Sequence, residues 1–498
     1  MGGKNNTLGI LLPVFSLPSQ QGIGCFGSRV YRWIDILNTV GITHWQVCPL
    51  GPTGYGCSPY QPLSEFALNP YFVDVSDLIS RGWIPKNAFD VFQSLSNTRV
   101  QYQRIRARLT PLLYQAYDQF LKTRHGYERF KKFKKRERVW LDSYATFCAL
   151  KDRFGGSPWW LWPKELRAYE NKEVRNYKKS HVSITDFFAF VQWVLSEQWS
   201  NVKRYARRKG ICIVGDIPIY VGEDSAIVWE DRKLFQWNPT SDRPQYVAGV
   251  PPDYFSPTGQ LWGNPLYNWK FFEENDYRWW VDRMRKNLEW FDFVRLDHFR
   301  GFYNYWAIPQ GAVDAREGQW MQGPQHAFFD RLRKNFPKMP FLLEDLGDLN
   351  EQVRAFQRTL NLPGMAVLQF AFDGDNNPYL PHKWTRNTVV YTGTHDNDTT
   401  RGWFNKAPKQ VRQACLQLLK QYSISSNAKT VVSDLIRLAH QKATAKWVIV
   451  PLQDWLNKGS QARINTPGTV GSRNWTWRCS ENDLADFQRQ AKRIVPAE

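Results

Sequence analysis

No stretch of the 498 residues is apolar for long enough to span a bilayer. The first apolar piece, Leu8-Gly9-Ile10-Leu11-Leu12-Pro13, follows Met1-Gly2-Gly3-Lys4-Asn5-Asn6 almost directly. It is too short for a secretory leader or an anchor, and its flanks read as a first strand. A cytoplasmic location with no membrane contact is expected. The seven cysteines (25, 48, 57, 148, 212, 415 and 479) are odd in number and scattered, without a Cys-x-x-Cys pair. That argues against a disulfide framework or a zinc ribbon and for a reducing compartment. Gly-x-Ser-x-Gly, His-Glu-x-x-His and Gly-x-x-x-x-Gly-Lys-Ser/Thr are also missing, which sets aside serine hydrolases, zinc proteases and P-loop NTPases. There is no internal repeat and no low-complexity segment.

What the chain has in excess is positive charge and aromatic rings. The net charge is +20, and much of the surplus lies between Arg99 and Lys179. It includes Lys131-Lys132-Phe133-Lys134-Lys135-Arg136-Glu137-Arg138, which reads as helix. A nucleic-acid patch is one reading. A solvated helix face is the better one, because Glu137 and the neighbouring rings break the run and no RNP, zinc-finger or helix-turn-helix pattern accompanies it. Nucleic acid is therefore not expected as a partner. Aromatics make up 15% of the residues, with 24 tryptophans. Most of these rings read as packing, but flat indoles also suit sugar faces.

Eight strands can be placed: 9–14, 43–50, 211–220, 291–298, 341–347, 365–372, 388–396 and 447–452. Amphipathic helical stretches lie between them, such as 30–40 and 411–422. Near-continuous apolar strands alternating with helices mean a parallel sheet, and eight such units predict the α/β class and a (β/α)8 TIM barrel. The whole chain, 1–498, reads as one catalytic barrel. About 160 residues between the second and third strands are far too many for a loop. Residues 65–205 are expected to form a mainly helical insertion there. Residues 222–274, rich in Pro, Gly and Trp and without periodicity, are expected to be a loop-rich insertion covering the active site.

Three strand ends carry acids. Phe291-Asp292-Phe293-Val294-Arg295-Leu296-Asp297-His298 places Phe293, Arg295 and Asp297 on one face if extended, and Val294 and Leu296 on the other. Arg295 beside Asp297 favours an ionised carboxylate, as a nucleophile on a sugar carbon requires. The alternative is a structural Arg–Asp pair. Phe341-Leu342-Leu343 runs apolar into Glu344, where partial desolvation would keep a general acid protonated. Val389-Val390-Tyr391-Thr392-Gly393-Thr394 leads to His395 and Asp396, suited to stabilising an oxocarbenium-like sugar. The acids are about fifty residues apart, against about 30 for one barrel unit, so one and then two units with insertions separate them. Acids at the carboxyl ends of barrel strands converge on one cleft, and three of them point to glycosidic chemistry. His395-Asp396-Asn397-Asp398 also looks like a hard-cation set, but contiguous residues rarely all face one ion, and no metal is expected. His298 reads as a substrate hydrogen-bonding group or a core histidine. Hydrolysis and transfer both remain open on these residues alone.

Beyond these ends, the chain carries Gly51-Pro52-Thr53-Gly54-Tyr55-Gly56-Cys57-Ser58-Pro59-Tyr60-Gln61, Gly215-Asp216-Ile217-Pro218-Ile219-Tyr220-Val221 and Pro251-Pro252-Asp253-Tyr254-Phe255-Ser256. It also carries Gly259-Gln260-Leu261-Trp262-Gly263-Asn264-Pro265, Glu344-Asp345-Leu346-Gly347 and Arg463-Ile464-Asn465-Thr466-Pro467-Gly468-Thr469. In this order, and over essentially the whole chain, the set resembles the amylomaltases, 4-α-glucanotransferases of glycoside hydrolase family 77 in the α-amylase clan. The resemblance implies transfer between α-1,4-glucans and maltooligosaccharides with retention, without cofactor or metal. It implies Asp297 as nucleophile, Glu344 as acid/base and Asp396 as transition-state stabiliser. It implies Ser58, Tyr60, Asp216, Trp262, Arg295, His395, Asp373 and Asn465 as lining the glucan groove, and 250–265 as a segment arching over the site. Cys57, where relatives can carry an acid, and Leu12-Pro13-Val14-Phe15 depart from the family pattern.

Overall fold

A computed structural model describes residues 7–123, 125–252, 256–347, 349–374, 376–442, 444–471 and 473–494. The eight barrel strands are β1 (Thr7–Leu11), β2 (His44–Gln46), β3 (Cys212–Ile217), β4 (Phe293–Leu296), β5 (Phe341–Leu343), β6 (Gly364–Val367), β7 (Thr388–Tyr391) and β8 (Trp447–Pro451). All pairings are parallel, in the spatial order β5-β4-β3-β2-β1-β8-β7-β6. The ring closes where the Leu343 N–H donates to the Pro363 carbonyl at 2.8 Å. This is the expected (β/α)8 barrel.

Strand alternation fills its two sides. Leu11, Val214, Leu342, Met365, Val367, Val389, Tyr391, Trp447 and Ile449 pack with Phe293 inside the barrel. Val294 and Leu296 belong to the larger core under the helices. At Gly9 an added Cβ would lie 2.9 Å from Ile449 and 3.1 Å from the His44 Cβ, so β1 can come this close only without a side chain.

The strands are shorter than the apolar runs suggested, chiefly at their carboxyl ends. Extended pairing stops at Ile217, Leu296, Leu343 and Tyr391, before Tyr220, Asp297, Glu344 and Asp396. Past the last apolar pair the polar side chains find partners on neighbouring loops, and the backbone follows them. At His298 it turns through a left-handed conformation (φ 46°), uncommon for a residue with a side chain.

Between β2 and β3 lie the helices Val75–Ser80, Tyr102–Thr123, Tyr127–Arg153, Lys172–Ser180 and Val182–Arg208. The last one passes the boundary drawn at 205 and is also a barrel helix. Its Trp199 indole donates to the Trp290 carbonyl at 3.1 Å and packs on Phe26 and Phe291. Its Gln192 exchanges two 2.8 Å hydrogen bonds with the backbone of Leu68. The exposed cations Lys131, Lys132, Lys135, Arg136 and Arg138 line the solvent side of Tyr127–Arg153, while Phe130, Phe133 and Glu137 are buried.

Residues 222–274 are more ordered than their composition suggested. Tyr246–Val250 and Gln260–Pro265 join Asn304–Pro309 and Gln319–Gln322 in a four-stranded antiparallel sheet. A register shift between Val247 and Gly249, together with Gly263 at positive φ, interrupts the two-residue period that would have revealed these strands. Two of the partners lie outside 222–274, so no local reading could pair them. Residues 253–255 of the Pro251–Ser256 motif, and residues 1–6, lie outside the described residues.

Candidate active site

The loops after β3, β4, β5 and β7 bring a cluster of charges to one end of the barrel. At its centre is Arg295, buried on β4. One nitrogen, Nη1, lies 2.8 Å from both carboxylate oxygens of Asp216 on β3 and 3.0 Å from Oδ1 of Asp297. Arg295 and Asp216 side chains are only 4% and 1% exposed, so this pair is fully desolvated, while Asp297 is 25% exposed and faces the cleft. The Tyr60 hydroxyl donates to Asp216 Oδ2 at 2.8 Å, and its ring stacks on His395 at 5.1 Å. Ser58 Oγ accepts from the Tyr60 N–H at 3.2 Å, shaping the turn that presents the ring.

Glu344 is held by backbone. Its own N–H donates to the Leu296 carbonyl, its carbonyl accepts from Phe299, and its Oε2 accepts from the His298 N–H at 2.7 Å. The left-handed turn at His298 aims that N–H. The His298 ring is half-buried and lies perpendicular to the Trp262 indole at 4.9 Å, and desolvation, with Arg300 nearby, lowers its pKa to about 4. It is a neutral imidazole at pH 7.

The carboxyls differ in charge for physical reasons. Burial pushes Glu344 up to about 8; Arg295 and the His298 N–H oppose this, and the negative charge of Asp297 adds to it. Burial also raises Asp297, to about 6, against Arg295, with Asp216 and Asp396 pushing the same way. Arg295 favours the ionised form of Asp297, as its place on the same face implied, but burial first and Asp216 and Asp396 after it offset that cation. Partial desolvation raises Asp396, but His395, and then Asn465 and Arg295, outweigh it and draw the carboxyl well below the usual carboxylate range. His395 is raised, since the Asp396 carboxylate outweighs the burial that disfavours its charge. At neutral pH this leaves one protonated and two ionised acids within reach of one another.

Asp396 is 42% exposed and points into the cleft. His395 Nε2 lies 3.3 Å from one of its oxygens, and Asn465 Nδ2 donates to the other at 2.7 Å. Its neighbours in sequence turn elsewhere. Asn397 Oδ1 accepts from the Thr394 N–H and hydroxyl, and Asp398 takes Ser460 Oγ at 2.7 Å and Lys406 at 2.8 Å. The four contiguous residues do not share a focus, and among the described residues no group of three or more His, Cys, Asp or Glu is placed to hold a metal ion.

The family model described as 4-alpha-glucanotransferase matches residues 12–484. The 4-alpha-glucanotransferase of Thermus thermophilus is 42% identical over 482 residues, covering 96% of this chain and 95% of its own length. That of Clostridium butyricum is 39% identical, covering 94% and 95%. Among solved structures, the amylomaltase from Streptococcus agalactiae in complex with acarbose superposes with a TM-score of 0.93 at 32% identity, covering 99% of both chains. The chain belongs to the 4-alpha-glucanotransferase family.

The transferase gathers most of the groove residues drawn from its sequence. Tyr60, Asp216, Arg295, His395 and Asn465 are linked to Asp297 or Asp396 by the contacts above, and Arg295 acts on Glu344 through its charge. Trp262 lies half-buried on the strand Gln260–Pro265 beside His298. Asp373 is different: it is exposed, takes a hydrogen bond from Asn377, and shares with Glu344 only an electrostatic influence on Tyr379. Two residues of the arrangement were quoted in motifs but given no role. The Gln61 amide pairs with that of Asn264 at 2.9 and 3.1 Å and donates to the Trp262 carbonyl at 3.4 Å, tying the strand Gln260–Pro265 to the loop after β2. Arg463 contacts the backbone of Asp396. Nothing in their spacing marks either residue, because both act on partners remote in sequence.

Proposed function

We propose that this 4-alpha-glucanotransferase works by double displacement on α-1,4-glucans, with Asp297 as nucleophile, Glu344 as acid/base and Asp396 as stabiliser of the oxocarbenium-like sugar. The observation that carries this is two carboxyls set differently at adjacent strand ends: Asp297 bonded to Arg295 Nη1 at 3.0 Å, and Glu344 held by the His298 N–H at 2.7 Å where burial and the Asp297 charge favour its protonated form. Asp297 Oδ2, the oxygen not bonded to Arg295, attacks the anomeric carbon while the Glu344 proton goes to the departing glycosidic oxygen. The product is a glycosyl ester on Asp297. Esterification removes the negative charge that helped hold Glu344 high, so its pKa falls and the same group becomes the base for the second step. Glu344 then takes the proton of an acceptor 4-hydroxyl, whose oxygen attacks the anomeric carbon from the face opposite Asp297; the bond to Asp297 breaks, its carboxylate is released, and the α configuration is restored. Asp396, kept ionised by His395 and Asn465, offsets the positive charge developing on the sugar in both steps.

Transfer rather than hydrolysis requires that water be kept from the ester. The four-stranded sheet, with Trp262 facing the cleft and pinned through Gln61, supports that reading. Acarbose, named in the Streptococcus agalactiae complex, carries a basic nitrogen in place of the glycosidic oxygen, and the anionic Asp297 and Asp396 suit its binding here. No helix among the described residues is long and apolar enough to cross a membrane, and all seven cysteines are free, which supports a cytoplasmic setting. The helices of 65–205 share one core with the barrel, which supports a single catalytic unit over 1–498.

Maltotriose tests the assignment. The pure protein, without added cofactor, should convert it to glucose and a ladder of longer α-1,4 chains, with the number of reducing ends constant. Shorter sugars alone, with reducing ends rising as bonds break, would mean hydrolysis.

A further inference from the structure

The segment after β8 grips the loop after β7 at successive residues. Ser460 donates to Asp398, the Asn465 N–H donates to the His395 carbonyl at 3.1 Å, and the Asn465 amide donates to Asp396 Oδ1. Between them, Arg463 uses two nitrogens on two carbonyls: Nη2 on that of Asp396 and Nε on that of Asn465, each at 2.6 Å. Both carbonyls belong to residues whose side chains meet at the Asp396 carboxylate. A single planar group therefore fixes the backbone beneath the acid and beneath the amide that orients it.

We infer that Arg463 is a positioning residue for glycosyl transfer, setting the Asp396 carboxylate through the backbones of two strand-end loops without touching the sugar. The fork is what makes this possible. Charge-assisted bonds are short and directional, and a guanidinium holds two acceptors at a fixed angle where an ammonium holds them loosely. Asp396 needs such help because it sits past the end of β7, outside the sheet ladder, with a carboxylate 42% exposed to the cleft. The two acceptors are the Asp396 carbonyl in its own loop and the Asn465 carbonyl in the segment after β8, and neither takes another side-chain donor among the described residues. Losing the fork lets the loop relax, and a carboxylate displaced by about 1 Å from a developing charge loses a large part of its effect.

The inference rests on Asp396 being the stabilising acid, and a double-mutant cycle on binding separates the two ideas. Wild type, Arg463→Met, Asp396→Asn and the double variant are titrated by calorimetry with acarbose, whose secondary amine takes a proton beside a carboxylate, and with maltotetraose, which has no basic group. Arg463→Met should weaken acarbose about tenfold or more while maltotetraose changes less than about threefold, and it should add nothing in the Asp396→Asn background. Arg463→Lys, which keeps the charge but not the fork, should recover only part of the loss. Equal weakening of both ligands, or the same loss with and without the Asp396 carboxylate, would show that Arg463 merely supports the fold. If Asp396→Asn leaves acarbose binding unchanged, the stabilising role of Asp396 falls, and the Arg463 inference falls with it.

Discussion

The His298 N–H donates to Glu344 Oε2 at 2.7 Å, so the residue next to the proposed nucleophile directly holds the proposed acid. Barrel strands β4 and β5 are neighbours, and the left-handed turn at His298 makes the link across their ends. Because this N–H favours the ionised form of Glu344 while burial and Asp297 oppose it, the acid is poised within reach of neutral pH.

The first prediction is the pH profile of transfer. Activity requires Asp297 ionised and Glu344 protonated. As pH falls through about 6, Asp297 takes a proton and the nucleophile is lost. As pH rises through about 8, Glu344 gives up its proton and the acid is lost. Initial rates of glucose release from low concentrations of maltotriose should therefore give a bell lying between these values. A rate that keeps rising above pH 8 would take Glu344 out of the acid role.

The second concerns the coupling between these two acids. In Asp297→Asn the charge that raises Glu344 is gone, so Glu344 should titrate at lower pH than in the wild type, and transfer and the glycosyl ester should both vanish. Isotope-edited infrared or carbon NMR of the labelled glutamate reads this directly. Glu344→Gln should also collapse turnover yet still form the ester from a glycosyl fluoride, whose leaving group needs little protonation. An unmoved Glu344 titration would break the acid-to-base switch argued above.

The third is a packing prediction for the barrel. Gly215 lies on β3 between Val214 and Asp216, and an added Cβ would come within 2.0 Å of the buried Phe291 ring. Gly215→Ala must move that ring or the strand, and overpacking of this kind costs about 1–3 kcal/mol. The melting temperature should fall, and Asp216 should shift with the strand. An unchanged melting temperature would mean that the ring moves aside freely.

How far the sequence carried this description depends on the kind of signal. Apolar runs such as Val389–Tyr391 announce strands because burial on both faces leaves no other use for them. The acids that follow them announce a cleft because parallel strands end on one side. The four-stranded sheet was hidden, since Gly249, Gly263 and a bulge interrupt the alternation of Tyr246–Val250 and Gln260–Pro265 and their partners Asn304–Pro309 and Gln319–Gln322 lie far along the chain. The setting of the Asp297 charge was only half legible, because burial and a second carboxylate also act on it. Arg295 is two residues away in sequence, but Asp216, which shares that cation, comes from another strand. Arg463 stayed invisible because backbone carbonyls carry no sequence signature.

Asp216 gives a prediction in which stability and chemistry move together. Replacing it with Asn leaves a buried guanidinium short of one carboxylate, and breaking such a pair typically costs about 3–5 kcal/mol. Asp297 then gains the undivided attention of Arg295 and loses the repulsion of Asp216, so its pKa should fall. Asp216→Asn should melt at lower temperature, and whatever activity survives should extend further into acid than in the wild type. An acid limb that stays in place, or moves up, would mean that Asp216 does not tune the nucleophile.

Trp262 gives the sharpest contrast between a ring that serves substrate and one that serves the fold. Its indole meets His298 edge-on at 4.9 Å, packs loosely on Tyr220 at 6.4 Å, and donates to Gln260 Oε1 at 3.2 Å. The backbone anchor to Gln61 uses the Trp262 carbonyl, so it survives substitution. Trp262→Ala should therefore leave the strand in place and open a passage beside His298, toward the ester on Asp297. Glucan binding should weaken, and the balance should shift from transfer toward hydrolysis, read as reducing ends formed per glucose released from maltotriose. Because the ring is only half-buried, the stability loss should stay below the about 3–5 kcal/mol of a fully buried aromatic. A large fall in melting temperature with the transfer-to-hydrolysis ratio unchanged would make the ring structural and remove Trp262 from the glucan site.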